Sequence, residues 1–312
     1  MPINTRVRRW RKRLWWFAIG SLGLLGIGLT SIAINVYKRI PEITAPARSP
    51  GCCTVPTDRN LPHKVLRLTT QDKVQLACWY MPSRNRAAII VLHGEGGNRL
   101  AMLPHVKMLV KAGYGVLACD RRAHGESTGD YRSWGWLEVD DVGTMLAYVR
   151  QQPDIDRDRI GILGFSMGGQ VALRASAKFD DLRAIVADGA SAAVSADLFP
   201  PQNPGQWPRF IADWLNDRMT DWFLAQRLQV SAPTSVVSAL SQQSKHPILF
   251  ISTGQTGRGR ELQQVGWYYS VAIAPKQLWE IPDVGHGEGL AKHPAEYAKR
   301  VLDFFANALL KA

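Results

Sequence analysis

The sequence contains a serine whose neighbours suit it for nucleophilic chemistry, Ser166 in the run Gly-Phe-Ser-Met-Gly-Gly at residues 164–169. The mostly apolar residues 159–163 before it predict a short buried strand, and the Ala-rich residues 170–178 after it predict a helix. A Gly-x-Ser-x-Gly run between a strand and a helix is typical of a nucleophile elbow, which projects the hydroxyl from the carboxyl end of a sheet. The pattern therefore predicts that Ser166 attacks carbonyl groups, the alternative being a Gly-rich turn without chemistry.

A histidine that can serve as the base lies near the other end of the chain. His286 stands in Asp-Val-Gly-His-Gly, a loop that follows the last predicted strand at residues 277–281. An imidazole on this loop can reach back to the serine and take its proton, so we predict that His286 is the general base rather than a loop-bracing residue. Another histidine, His93, opens a glycine-rich loop after the apolar residues 87–92, and we interpret it as structural.

Two backbone amides are candidates for an oxyanion hole. One is the amide directly after the nucleophile, which belongs to Met167, and the other comes from the loop His-Gly-Glu-Gly-Gly-Asn at residues 93–98. Glycines let this loop pass close beneath the nucleophile and turn an amide toward the substrate. We predict that Glu95 supplies the second amide.

The rest of the chain alternates buried strands with amphipathic helices, which indicates an α/β fold. Two β-rich runs at residues 64–68 and 74–80 predict an antiparallel hairpin at the edge of the sheet. Residues 191–246 break the alternation, since they contain no convincing strand and several aromatic residues. We predict a small helical cap at about residues 190–246, whose aromatics either pack on the sheet or line the substrate site.

The net charge of +12 is concentrated at the amino terminus. Eight basic residues precede the first acidic one, Glu42, and the remainder of the chain has a net charge of about +4. A nucleic-acid-binding domain would carry a basic face with interleaved aromatics on its folded part, and the sequence has no such pattern. The cysteines also lack the spacing of a zinc site. We therefore expect neither a nucleic-acid partner nor a bound metal.

Residues 14–37 form a stretch of 24 residues without a charge. About 20 such residues span the hydrocarbon core of a bilayer, so this stretch predicts a transmembrane helix. Six basic residues precede it, which places the tail at residues 1–13 in the cytoplasm and the rest of the protein outside. The alternative is a cleaved signal peptide, for which the nearest small-x-small sequence lies at residues 45–47.

Residues 38–62 contain five prolines and predict an extended linker between the membrane and the folded domain. Cys52 and Cys53 lie in this linker, where an oxidising compartment would let either pair with another thiol, although neighbouring cysteines bond each other only with strain. Cys78 and Cys119 lie in predicted strands, and we expect free thiols there.

Four motifs together resemble the α/β-hydrolase family over about residues 64–310, in particular bacterial serine hydrolases that are soluble or have one N-terminal membrane anchor. The motifs are His-Gly-x-Gly-Gly-Asn at 93–98, Asp-x-Arg-x-His-Gly-x-Ser at 120–127, Gly-Phe-Ser-Met-Gly-Gly at 164–169 and Gly-His-Gly at 285–287. The resemblance implies a mostly parallel eight-stranded sheet with helices on both faces, no cofactor, and attack on a carbonyl through an acyl-enzyme. Two departures are Ala123, where a glycine is usual, and Glu95, where a neutral residue is common.

The acid that should orient the histidine departs from the family pattern. Chain order requires Ser, then Asp or Glu, then His. The resemblance places the acid on the loop after the strand at residues 247–252, but the expected aspartate position holds Gly257. Glu261 is the carboxylate on this loop, and we predict that it is the acid, with Asp188 as the second candidate. Asp283 is too close to His286 along the chain to be chosen.

The sequence thus predicts a cytoplasmic tail (1–13), a transmembrane helix (14–37), a linker (38–62) and an α/β-hydrolase domain (63–312). The predicted function is a single-pass serine hydrolase of the cell membrane, which cleaves a small carboxylic ester or related acyl compound outside the cytoplasm through Ser166 and His286. Two alternatives stay open at this stage. One is a catalytically weak or inactive binding module with the same fold, and the other is an acyltransferase with the same nucleophile.

If residues 14–37 remain in the mature protein as an anchor, alkaline extraction should leave the protein in the membrane fraction. Protease added to intact spheroplasts should digest the domain, because the positive-inside rule places it outside. A mature amino terminus near Arg48 would show instead that the segment is a cleaved signal peptide.

Overall fold

The computed structural model describes residues 5–50, 61–242, 245–254, 259–273 and 275–311. The strands in these ranges are β1 (Ala47–Arg48), β2 (Lys64–Thr69), β3 (Gln75–Met81), β4 (Ala88–Leu92), β5 (Gly115–Cys119), β6 (His124–Gly125), β7 (Ile160–Phe165), β8 (Ala184–Asp188), β9 (Ile248–Thr253) and β10 (Lys276–Ile281). The α-helices are α1 (Thr5–Thr44), α2 (Leu103–Lys111), α3 (Glu138–Val149), α4 (Met167–Lys178), α5 (Trp207–Leu228), α6 (Val236–Gln242), α7 (Arg260–Val271), α8 (Gly289–Lys292) and α9 (Pro294–Leu309).

Eight of the strands form one sheet in the order β10-β9-β8-β7-β4-β5-β3-β2. Every neighbouring pair is parallel except the two that involve β3, which runs antiparallel to β5 and β2. The predicted edge hairpin and the mostly parallel sheet are therefore confirmed. Because the parallel strands run the same way, their carboxyl ends meet at one edge, and the loops after β4, β7, β8, β9 and β10 all open there.

Helices cover both faces of the sheet, as predicted, and the strands alternate between two apolar clusters. In β4, Ile89 and Val91 belong to a cluster with residues of α2 and α9, whereas Ile90 and Leu92 belong to a cluster with residues of α3, α4 and α7. A strand that is buried on both faces needs apolar residues at consecutive positions, which explains the uninterrupted apolar runs in the sequence. The apolar residues Val139, Val142, Met145, Leu146 and Val149 of α3 are buried in the second cluster.

The expectation of free thiols in the strands is wrong, because Cys78 and Cys119 form a disulfide. The two residues lie directly opposite each other on the antiparallel strands β3 and β5. The sequence suggested two separate strands but not that they were neighbours, since β5 pairs with β3 across a separation of 41 residues. Cys52 and Cys53 lie outside the described residues.

The amino-terminal helix extends beyond the predicted span of residues 14–37, and α1 continues through Pro41 to Thr44. Its last turns are held by packing, since Val36 and Ile40 are buried against Leu224 of α5 and Trp136. Tertiary packing of this kind contributes more to helix stability than local propensity does, so the helix includes seven residues that we assigned to the linker. The strand β1 also lies within the predicted linker, and it pairs in parallel with β6.

The segment Arg13–Thr44 is long and apolar enough to cross a membrane, a property that it shares with signal sequences. Before its packed last turns, many of its large apolar side chains are exposed, and Trp15, Phe17 and Leu24 are 66–77% exposed. Such a surface is unfavourable in water and suited to a hydrocarbon environment.

The cap region is helical in the part of the chain that the structure describes. It contains two single turns, Ser195–Asp197 and Pro204–Gln206, followed by α5 and α6. The carboxylates of Asp197 and Asp221 hold the region together, because Asp197 accepts hydrogen bonds from the amides of Ala193 and Val237 and Asp221 accepts one from the amide of Ser195. Three of the aromatic residues in this region, Trp207, Trp214 and Trp222, are exposed on α5.

Replacing both cysteines, in the variant Cys78→Ala/Cys119→Ala, should lower the free energy of unfolding by about 2–4 kcal/mol, because the bond restricts the unfolded chain. Thermal unfolding of the detergent-solubilised protein measures this effect. Reductant should lower the transition temperature of the wild type but not that of the variant. The matched control, Cys52→Ser/Cys53→Ser, should keep the response to reductant. Equal transitions in wild type and variant, together with reactive thiols at both positions, would contradict the disulfide.

Candidate active site

Ser166 occupies a strained turn between β7 and α4. Its φ of 54° and ψ of −116° lie outside the regions that side-chain-bearing residues usually adopt. The glycines around it are required by space: a Cβ at Gly164 would lie 2.1 Å from the carbonyl oxygen of Gly168, and one at Gly168 would lie 2.5 Å from that of Leu92. The spacing Gly-x-Ser-x-Gly is therefore what lets strand, turn and helix approach this closely.

The glycine-rich loop after β4 passes beside the serine. A Cβ at Gly94 would lie 3.2 Å from Cβ of Ser166 and 3.0 Å from the ring of Phe165. The amide of Met167, our first oxyanion candidate, is in the first turn of α4, where helix amides are not used by the helix itself. Glu95, our second candidate, directly follows Gly94. The structure thus brings the residue before Glu95 against the residue before Met167.

His93 braces this loop. Its Nε2 accepts a hydrogen bond from the amide of Arg121 at 2.9 Å, and its Nδ1 lies 2.7 Å from the carbonyl oxygen of Gly94. Burial lowers the pKa of His93 well below its ordinary value, so the ring is neutral and carries its proton on Nδ1. These contacts agree with the structural role that we gave to His93.

The carboxylate of Glu95 is clamped by two arginines. It accepts hydrogen bonds from Arg121 at 2.9 Å and from Arg132 at 3.0 Å. Burial opposes ionisation of this group, but the contacts with His124 and Arg121 outweigh it and lower the pKa of Glu95 to about 2. The side chain therefore stays ionised and is directed into the arginine pair, which fixes the loop whose amide we expect to face the substrate.

Glu261 lies in the first turn of α7 rather than on the loop before it, and it meets His286 from the loop after β10. Nδ1 of His286 lies 2.7 Å from Oε2 of Glu261, and Oε1 of the same carboxylate accepts hydrogen bonds from the amide and the hydroxyl of Thr253 at 2.8 and 2.9 Å. The Glu261 side chain is only 8% exposed, so its charge is poorly screened by water. The hydrogen bond to Glu261 raises the pKa of His286 above its ordinary value, although burial acts in the opposite direction.

The imidazole lies against the serine turn. The rings of His286 and Phe165 are 4.7 Å apart, and Phe165 directly precedes Ser166. A Cβ at Gly189 would lie 2.8 Å from Cε1 of His286. The residue before it, Asp188, accepts a hydrogen bond from the amide of Ser166 through its carbonyl oxygen at 2.7 Å. Ser166, His286 and Glu261, chosen from the sequence, are thus gathered at one edge of the sheet.

Asp188, the second candidate for the acid, has a different partner. It accepts a hydrogen bond from the hydroxyl of Tyr297 on α9 at 2.8 Å. Burial raises the pKa of Asp188 to about 6, an effect that the Tyr297 hydrogen bond opposes. Asp283 also lies elsewhere, 3.0 Å from Nε2 of His293. Gly257, where the family pattern expects an aspartate, lies outside the described residues.

Sequence reasoning missed the residues that hold the site in place. Arg121 lies just after β5, and Thr253 is the last residue of β9. Their positions at the carboxyl ends of strands could have identified them from the sequence. Arg132 and Tyr297 gave no signal, because their partners are distant in sequence. Among the residues that the structure describes, no group of three or more His, Cys, Asp and Glu side chains is arranged to hold a metal ion.

Comparisons with known proteins show which family and which folds this chain resembles. Residues 83–267 match the family described as serine aminopeptidase, S33. The uncharacterized protein YfhR of Escherichia coli strain K12 is 28% identical over 253 residues, which cover 78% of this chain and 81% of that protein. The bem46 protein of Schizosaccharomyces pombe is 28% identical over 193 residues, 58% of this chain and 64% of its own. A solved esterase of Pyrococcus furiosus superposes with a TM-score of 0.68 at 27% identity, over 86% of this chain and 98% of the esterase.

The Glu261→Gln variant should lower the pKa of His286, because it removes the negative charge that stabilises the imidazolium while keeping an oxygen that can accept a hydrogen bond. A histidine-selective NMR titration of the solubilised protein, with the signal assigned from a His286→Asn variant, measures the shift. Asp188→Asn is the matched control and should lower the pKa of His286 less, since Asp188 contributes only through space. A larger effect of Asp188→Asn would reverse the two assignments.

Proposed function

The chain belongs to the α/β-hydrolase family, in the branch described as serine aminopeptidase S33, and from this premise we propose that it is a serine hydrolase that cleaves carboxylic esters or related acyl compounds. The observation that carries the proposal is the contact of Glu261 with His286 at 2.7 Å, beside the strained Ser166 turn. A binding module would need neither the strained serine nor a carboxylate held against an imidazole.

In the first half of the reaction, Oγ of Ser166 attacks the carbonyl carbon of the substrate while Nε2 of His286 takes the hydroxyl proton. Glu261 holds Nδ1, which fixes the ring orientation and stabilises the imidazolium that forms. The raised pKa of His286 follows from this stabilisation and favours acceptance of the proton.

The negative charge that develops on the substrate oxygen is stabilised by the amides of Met167 and Glu95. Loss of one such donor typically lowers turnover by roughly 10²–10³-fold. The arginine clamp on the Glu95 carboxylate supports this role in two ways. It keeps the loop fixed next to Ser166, and it draws the carboxylate charge into ion pairs, so that this charge opposes the oxyanion less.

When the tetrahedral intermediate collapses, the alcohol leaves with the proton that His286 donates, and the acyl group remains on Ser166. Water then attacks the acyl-enzyme, and His286 takes a proton from it. The second collapse releases the carboxylic acid and returns the proton to Oγ of Ser166. The step consumes one water and needs no oxidant, reductant or cofactor.

Esters are the favoured substrate class because the similar solved structure from Pyrococcus furiosus is that of an esterase. The match covers 98% of that esterase. The family description refers to an aminopeptidase, which cleaves an amide, a bond that the same nucleophile can attack. Cleavage of either bond proceeds through the same kind of acyl-enzyme. The main proposal is therefore the formation of an acyl-enzyme on Ser166, and the ester as substrate is its more specific part.

We place the enzyme at the cell membrane as a single-pass protein with its catalytic domain outside the cytoplasm. The exposed apolar surface of α1 supports membrane insertion, and the basic residues before it support a cytoplasmic amino terminus. The disulfide between Cys78 and Cys119 also supports export, because disulfides persist in oxidising compartments and are rare in the cytosol.

A fluorophosphonate probe tests the proposal, since it forms a bond from phosphorus to an activated serine oxygen and releases fluoride. The wild type should be labelled and Ser166→Ala should not. Labelling should be strongly slowed in His286→Ala and in Glu261→Gln, by up to roughly 10⁴-fold if the acid matters as much as in a serine protease.

Three matched controls separate chemistry from folding. Ser191→Ala replaces a serine near Ser166 in the sequence, and His293→Ala replaces a histidine near His286 in the sequence. Asp188→Asn replaces the other candidate acid. All three should be labelled at close to the wild-type rate. A well-folded wild type that resists the probe would overturn the enzyme and favour a binding module.

A further inference from the structure

The cap helix α5 carries an apolar surface that the rest of the described protein does not cover. We define the cap face as Trp207, Ile211, Trp214 and Trp222, which are 39–59% exposed. Their spacing of three, four and eight residues places them on one side of the helix. Isolated exposed apolar residues are ordinary, but a row that includes three tryptophans marks a surface for an apolar partner.

The helix α1 identifies this partner by its position. The ring of Tyr37 on α1 packs against that of Phe223 on α5 at 5.6 Å, and Val36 and Ile40 are buried with Leu224. One turn closer to the amino terminus, Ala33 lines a groove together with Trp214 and Trp222 of the cap face. The cap face therefore begins where α1 separates from the folded domain.

The depth of these residues follows from helix geometry. About 20 helical residues cross the hydrocarbon core, so a span that begins beside Trp15 and Trp16 ends near Val36. Ala33 then lies inside the outer boundary of the core, and the α5 residues that share its groove lie at that boundary. Tryptophan is the residue that most favours this zone, since its ring is apolar and its N–H can reach water.

The opposite side of α5 differs in character. Arg209 and Asp213 lie about half a turn from the cap face and form an exposed ion pair at 3.6 Å. Arg218, in contrast, lies on the same side of α5 as the cap face and also lines the groove at Ala33. A basic group among tryptophans suits the phosphate level of a bilayer, where it can reach lipid headgroups while its stem stays in apolar surroundings.

We propose that the cap face rests in the outer interface of the bilayer that α1 spans, so that α5 is a second, peripheral membrane contact of the protein. This inference depends on the membrane anchoring proposed above. The partner is the lipid surface, and the contact fixes the orientation of the cap, and with it the active-site edge, relative to the membrane.

Site-specific fluorescence in lipid nanodiscs tests the proposal on the full-length protein. In a Cys52→Ser/Cys53→Ser background, the environment-sensitive label NBD is attached to the single added cysteine of Trp214→Cys, Trp222→Cys or, as matched control, Arg209→Cys. The discs contain one copy each of protein and either ordinary or chain-brominated phospholipid. A thermal unfolding transition close to that of the background shows that each labelled variant is folded.

The label should lose most of its fluorescence in brominated discs for Trp214→Cys and Trp222→Cys and should keep it for Arg209→Cys. Equal, weak quenching at all three positions in protein that stays with the disc would overturn the cap contact and leave the anchor intact. Blue-shifted emission without quenching would mean that protein, such as a second copy, covers the face, and would also overturn it. Protein that does not stay with the disc would overturn the anchor itself.

Discussion

The architecture of the site depends on the close approach of three pieces of main chain at Ser166. The end of β4, the serine turn and the start of α4 are near enough that a single methyl group at Gly164 or Gly168 would overlap backbone atoms. This packing forces the positive φ of Ser166 and brings Gly94 against the serine side chain. The surrounding sheet, buried on both faces, supplies the rigidity that keeps a strained residue in place.

Hydrogen bonds and ion pairs then hold the segments at the carboxyl edge of the sheet in place. Thr253 holds one oxygen of Glu261 so that the other meets His286, and Arg121 holds Glu95 on the neighbouring loop. Each carboxylate is mostly buried and would be costly there without its partners. The ion pairs are therefore best understood as positioning devices, since their effect is to reduce the number of conformations that the loops can adopt.

The same network joins the amino-terminal helix α1 to the edge of the sheet that carries the candidate site. Arg132 donates to Glu95 and also to the carbonyl oxygen of Glu42 at the end of α1, and the indole of Trp134 donates to the carbonyl oxygen of Ile43. The amino-terminal helix is thus part of the folded structure at its last turns. It packs directly on α5, and Arg132 connects its end to Glu95 on the loop beside Ser166.

The sequence by itself determined the sheet, the Ser166 turn and the apolar amino-terminal segment, because each depends on local features: apolar runs, glycines at fixed spacing, and length without charge. The tertiary structure decided what depends on distant partners. The Cys78–Cys119 bond required that β3 and β5 be neighbours, and the extension of α1 to Thr44 required the surface of α5. The contact of Glu261 with His286 joins the first turn of α7 to a loop residue 25 positions later, and no local pattern distinguishes this carboxylate from one at an ordinary helix start.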